Sequence, residues 1–199
     1  MRGAAFLILA LACSQALAGA QQYEPLSASV QAALSKSIAD HAAPGRSFGN
    51  SVDKVNWLAE MSSRIEKRIP DERFRHEFLG AVHYEATRAG LDPQLVLGLI
   101  QVESGFKKYA VSSAGARGFM QIMPFWVKLI GRPDDNLFHL RTNLRFGCTI
   151  LRHYLDLENG DLYRALGRYN GSLGQAEYPN AVRAVWQTQW SYPGKIAQR

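Results

Sequence analysis

Glu103 is the residue of this chain best placed to do chemistry. Val96, Leu99, Ile100 and Glu103 recur at the i, i+3, i+4, i+7 spacing of one helix face, so a carboxyl group emerges on the side that seeks the core. Taking a carboxyl out of water disfavours its charged form, and a rise of about one or two units in its pKa is expected. A carboxyl that keeps its proton near neutral pH can hand it to a departing oxygen, which is what breaking a glycosidic bond requires. The same spacing also fits a helix-end glutamate that is capped or paired at the surface. The following segment, Gly115-Ala116-Arg117-Gly118-Phe119-Met120-Gln121-Ile122-Met123-Pro124, favours the first reading. Gly115 and Gly118 permit close backbone approach or unusual dihedrals, and Met120 and Gln121 would turn one apolar and one amide contact toward a shared cleft.

The elements that must position these residues read as helices. A short helix is expected near residues 28–39, followed by a break at Pro44-Gly45. Leu58, Met61, Ile65 and Ile69 form a stripe that Pro70 ends, and Phe74, Phe78 and Val82 form another that stops at Gly90. Asp92-Pro93 is a restart, an N-cap side chain followed by proline at the first helical position, so the helix carrying Glu103 should run over 93–103. Further helices are expected over 124–130, 141–158 ending at Asn159-Gly160, 161–169, and 179–190 with Val182, Trp186 and Trp190 aligned. Strand-like alternation is scarce, which points to one compact all-α domain.

Met1–Ala20 has the order of a secretory signal: Arg2, an apolar run over 6–12, then the small-residue sites Ala16-Leu17-Ala18 and Ala18-Gly19-Ala20. The apolar run is too short to span a bilayer, and no later one is long enough, so no integral membrane segment is expected after its removal. An exported product, periplasmic or bound to the cell envelope, follows. Removal of the segment takes one Arg and no acid, and the formal charge falls from +6 to +5. A mildly basic protein of this kind suits an anionic envelope polymer, although a solvated basic surface accounts for the charge too. Cys148 would be the one cysteine left; it lies on the apolar stripe Leu144, Cys148, Leu151, Leu155 and reads as a packing thiol.

Three ordered motifs, Glu103-Ser104-Gly105-Phe106, the stretch 115–124, and Arg168-Tyr169-Asn170-Gly171, resemble the lytic transglycosylases of the lysozyme-like superfamily over roughly residues 80–190. The resemblance implies a lysozyme-like helical domain of the goose-type lysozyme and lytic transglycosylase kind, with an N-terminal helical extension. The segments are then a signal peptide over 1–20, a partly helical extension over 21–70, a catalytic domain over 71–192 and a tail over 193–199. It further implies cleavage of the β-1,4 bond between N-acetylmuramic acid and N-acetylglucosamine in peptidoglycan, ending in a 1,6-anhydromuramic product. Glu103 would be acid and then base, Ser104 would orient the substrate or the carboxylate, Met120 and Gln121 would line a sugar subsite, the Tyr169 hydroxyl would hydrogen-bond near Glu103, and Asn170 would shape the groove. Phe119 and Arg168 depart from the usual Leu and Ala of these motifs.

No cofactor and no metal is implied: the histidines show neither an i, i+4 pair nor a cysteine partner. Peptidoglycan glycan strands are the expected partner, with cell-envelope machinery as a further candidate; a nucleic-acid role is disfavoured because the basic residues do not cluster. A goose-type hydrolase and a non-catalytic peptidoglycan-binding protein are the alternatives. Among the tryptophans, which default to core positions, Trp126 is the best candidate for stacking on a sugar.

Overall fold

The structure, a computed structural model, describes residues 21–39 and 51–193. The expected signal peptide, the Pro44-Gly45 break and nearly all of the tail lie outside the described residues. Helices α1 (Ala28–Ala39), α2 (Ser51–Ile65), α3 (Glu72–Arg88), α4 (Pro93–Ser104), α5 (Phe125–Ile130), α6 (Leu140–Leu157), α7 (Leu162–Asn170) and α8 (Glu177–Val185) follow one another, and a π-helical turn, Trp186–Trp190, completes the series. Among the described residues there is no β-strand; two isolated bridges, Val111 with Arg117 and Arg117 with Ile122, fold the loop between α4 and α5 back on itself.

Side-chain caps set the helix starts. Asp71 accepts from the Phe74 N–H at 2.6 Å, Asp92 from Gln94 at 2.7 Å, and Asp161 from Arg164 at 3.0 Å, each satisfying a donor that the first turn leaves free. Gly105, at φ 56°, ends α4 in the left-handed region, where a Cβ would be strained. Helix α4 is predominantly apolar and is buried on all sides from Pro93 to Ile100, with Gln94 its one polar residue in that stretch, so it forms the axis of the molecule. It packs against α3, α8 and the π-helical turn, while α6 packs against α3, α7 and α1. A Cβ on Gly98 would come within 3.2 Å of the Trp186 backbone, which shows how closely α4 and the C-terminal turn approach.

The N-terminal helices join this same interior. Leu34 and Ile38 of α1 and Trp57, Met61 and Ile65 of α2 belong to the one hydrophobic core. Arg75 ties the α2–α3 turn by donating to the Ser62 hydroxyl and to the Ile69 and Pro70 carbonyls. A buried ionic cluster, Glu85 with Arg145 at 2.9 Å and Arg88 at 3.0 Å, joins α3 to α6, and both arginines also reach carbonyls at the end of α1. Cys148 is fully buried and free, as its stripe predicts. Trp126 departs from expectation: it is 2% exposed, against Phe125 and Tyr154, and is core rather than groove.

Candidate active site

Glu103 sits in the last turn of α4 with 4% of its surface exposed. Burial pushes its pKa from 4.5 up to about 8, a larger rise than the helix phase alone suggested, and a hydrogen bond from Tyr178 partly offsets it. The Tyr178 hydroxyl donates to Glu103 Oε1 at 2.5 Å, and Glu103 Oε2 is buried without a hydrogen-bond partner. Tyr178 is itself held protonated, its pKa raised by burial and by the Glu103 charge, so it remains a donor across the working range. Glu85 and Glu103 are the buried acids among the described residues, and Glu85 is neutralised by its arginines. Among the described residues Glu103 has no such cation, and burial favours its protonated form near neutral pH.

The loop between α4 and α5 forms the wall beside this carboxyl, and its carbonyls are held one by one. The Arg117 carbonyl accepts from the Asn143 amide at 2.9 Å, as does the Leu137 carbonyl of the α5–α6 connection at 2.8 Å, while Asn143 Oδ1 accepts from the Met120 N–H at 2.8 Å. The Gly118 carbonyl accepts from Gln121 Nε2 at 2.9 Å, and the same amide reaches the Ala110 carbonyl at 3.1 Å. The Phe119 carbonyl accepts from the Ser104 hydroxyl at 2.7 Å, with the Ile100 carbonyl at 3.1 Å as that hydroxyl's alternative acceptor. The Met120 carbonyl accepts from Tyr169 at 2.7 Å. Gly118 has φ 76°, and a Cβ there would meet the Leu137 carbonyl and Asn143 at 2.5 Å, so this close turn accepts glycine alone. Gln121 also sits at positive φ, 49°, with its side chain turned back into the loop.

The predicted residues are therefore gathered in one place, with different contacts from those expected. The Tyr169 hydroxyl does not bond Glu103; it points to the Met120 carbonyl, and Tyr178 supplies the bond to the acid. Tyr169 is nonetheless close enough for the Glu103 charge to help raise its pKa after burial. Ser104 braces the loop instead of the carboxylate, and the Gln121 amide is spent inside the loop because the reversed backbone at 121 leaves the Gly118 and Ala110 carbonyls within its reach. Met120 is buried, and a Cβ on Gly147 of α6 would lie 2.2 Å from its sulfur. Asn170 is buried at the end of α7. Of the two unusual motif residues, Phe119 packs on Phe78 at 4.9 Å, and Arg168 pairs with Glu158 and Glu24.

Tyr178 is the site residue that motif spacing missed. A signal existed: Tyr178 lies four residues before Val182, on the same buried stripe of α8, and a buried tyrosine hydroxyl needs a partner. Asn143 was hidden in the same way, as a polar residue on an apolar face of α6.

The sequence profile of the transglycosylase SLT domain matches residues 80–184, just over half of the chain. The chain belongs to this family. The matched span of the SLT domain holds Glu103, the braced loop, Tyr169, Asn170 and Tyr178. The chain is 35% identical over 120 residues to the transglycosylase of Enterobacteria phage PRD1, covering 60% of this chain and 40% of that protein. It is 44% identical over 139 residues to membrane-bound lytic murein transglycosylase C of Mannheimia succiniciproducens, covering 62% and 37% respectively. A shorter match, 48% over 48 residues, links it to the protein of that name from Actinobacillus pleuropneumoniae serotype 5b, with 24% and 13% covered. The chain thus spans at most two fifths of the length of these relatives.

Proposed function

We propose that this SLT-domain protein is a peptidoglycan lytic transglycosylase with Glu103 as its single acid and base. The observation that carries the proposal is the Glu103 carboxyl itself: buried, protonated near neutral pH, held through one oxygen by Tyr178 and unpartnered at the other. In the first step that proton passes to the glycosidic oxygen as the C1–O4 bond between N-acetylmuramic acid and N-acetylglucosamine breaks. In the second, the C6 hydroxyl of the same muramic residue attacks C1, and Glu103, now a carboxylate, takes the hydroxyl proton. The ring closes as a 1,6-anhydro sugar, no water is consumed, and the acid is restored. A hydrolase of the two-carboxylate type needs a second acid to activate water or attack the sugar; the intramolecular hydroxyl removes that need.

In this reading Ser104, Gln121, Tyr169 and the buried Met120 hold the loop wall against which the sugar lies, and Asn170 closes its end. Tyr178 keeps Glu103 Oε1 in place while the proton moves. The substrate lies in the cell envelope, in keeping with relatives named as membrane-bound murein transglycosylases and with the export signal read in residues 1–20. No helix among the described residues is long and apolar enough to cross a membrane.

The test is digestion of purified sacculi by the full chain and by Glu103→Gln, with the soluble products resolved by mass spectrometry. Anhydromuramic ends from the parent chain and a loss of about a thousandfold in the variant are expected. Reducing ends would replace transglycosylation with hydrolysis, and undiminished turnover by the variant would remove Glu103 from its role.

A further inference from the structure

Residues 21–27 precede α1 without regular secondary structure, and Gln21 lies on the loop that walls the candidate site. Gln22, Tyr23, Pro25 and Ser27 are exposed, yet Gln21 is 3% exposed, an unusual depth for a glutamine beside such exposed neighbours. Its carboxamide is read at both ends. Oε1 accepts from the Met123 N–H at 3.2 Å, and Nε2 lies 3.4 Å from the Gln121 carbonyl. Both partners belong to the loop whose Met120 carbonyl accepts from the Tyr169 hydroxyl. After Gln21 the segment is fastened at intervals: Gln22 to the Gly171 carbonyl at 3.4 Å, the Tyr23 ring edge-on to Phe125 at 5.7 Å, and Glu24 to Arg168 at 3.0 Å. Helix α1 anchors the other end, with Leu34 and Ile38 in the core and Gln31 donating to the Leu129 carbonyl at 2.7 Å.

A backbone N–H and a backbone carbonyl placed to grip one carboxamide present the same donor and acceptor that the acetamido group of an N-acetylated sugar needs, since both ligands offer one C=O and one N–H on neighbouring atoms. The grip belongs to the loop beside Glu103, where the reading above places the glycan. We propose that residues 21–27 are a strap that closes the glycan site of this chain, the Gln21 carboxamide occupying the place of a sugar acetamido group, so that substrate must displace the strap to bind. The proposal rests on the glycan-cleaving reading of the site. Its tethers are few and lie largely at the surface, so the closed form is favoured modestly and yields to an N-acetylated glycan that makes more contacts. The strap then sets a threshold: short or sparsely acetylated glycans bind poorly, and long acetylated strands open the site.

The test uses the full chain carrying Glu103→Gln, so that ligand is bound without turnover, with and without the added changes Gln21→Ala, Tyr23→Ala and Glu24→Ala. Calorimetric titration with N-acetylglucosamine tetramer should show about tenfold tighter binding once the strap is loosened, because the open form no longer has to be drawn from a minor population. Equal or weaker binding, with helix content and melting unchanged, overturns the proposal. A second measurement avoids the substitutions at 21–24: saturating tetramer should raise proteolytic cutting between residues 21 and 27 of the otherwise unaltered Glu103→Gln chain, and continued protection of that segment while sugar is bound also overturns it. Absence of tetramer binding to either form overturns it as well, whereas the glycan-cleaving reading is judged separately by anhydro products from sacculi.

Discussion

Replacing Glu103 by Gln should change the pH dependence of stability in a way that reports directly on the buried acid. In the folded chain Glu103 titrates at about 8, against an ordinary value of 4.5 that applies when the chain is unfolded. Between these values the folded state holds a proton that the unfolded state has released, so folding stability falls as pH rises through the window, by up to about 1.4 kcal/mol per pH unit. Below pH 4.5 the acid is protonated in both states and the cost vanishes. At pH 7 it amounts to something on the order of 3 kcal/mol, and it levels off near pH 8 at about 5 kcal/mol. Gln keeps the shape and an acceptor for the Tyr178 hydroxyl but carries no proton to lose. Denaturant unfolding of the two chains from pH 4 to pH 9 should therefore give curves that nearly coincide at the acidic end and diverge above pH 5, with the variant the more stable. Parallel curves over the whole range would refute the claim that Glu103 is buried as a neutral acid, and with it the physical basis of its role.

Two other outcomes follow from the same geometry. Tyr178→Phe removes the hydrogen bond that lowers the Glu103 pKa, so the alkaline limb of the rate profile should move to higher pH while turnover falls by about tenfold as the carboxyl loses its fixed orientation; a pH–rate profile on soluble glycan checks both. Gly147→Ala drives a Cβ to within 2.2 Å of the Met120 sulfur and 2.8 Å of its Cβ, so the loop must shift, at a cost of about 1–3 kcal/mol, with activity lowered as well; thermal melting and sacculus digestion measure these.

Much of the scaffold was legible because local chemistry and tertiary packing agree. The cap at Asp92-Pro93 and the stops at Gly90 and Asn159-Gly160 are fixed by short-range rules, and the structure places them where those rules do; the short helix expected near 28–39 is also present. Helix α8 begins at Glu177, two residues ahead of Pro179, because proline is tolerated within a first turn whose N–H groups have no partner anyway. The α-helical register does not continue to Trp190: the last turn widens to a π-helix where Trp186 lies against Gly98. At the site, motif order located Glu103 and the loop, since those residues are close in sequence. It could not assign partners. Whether Tyr169 or Tyr178 meets the carboxyl depends on how α7 and α8 cross α4, and the inward turn of Gln121 depends on a positive φ that residue type alone does not announce. The contacts of residues 21–24 were not legible, because the polar, aperiodic composition there names no partner and the partners, Gln121, Met123, Phe125, Arg168 and Gly171, lie about a hundred or more positions away.

Glu103 and Tyr178 are 75 positions apart, and the burial that makes the glutamate an acid is completed by α8 and the π-helical turn closing over α4. A chain synthesised from its N-terminus presents α4 well before residues 177–190 exist. Until they dock, the glutamate faces water, ionises in the ordinary carboxylate range and has no proton to give at neutral pH. The protonated state of this acid is thus a property of the closed helical domain and is absent from any shorter piece of the chain that ends before α8.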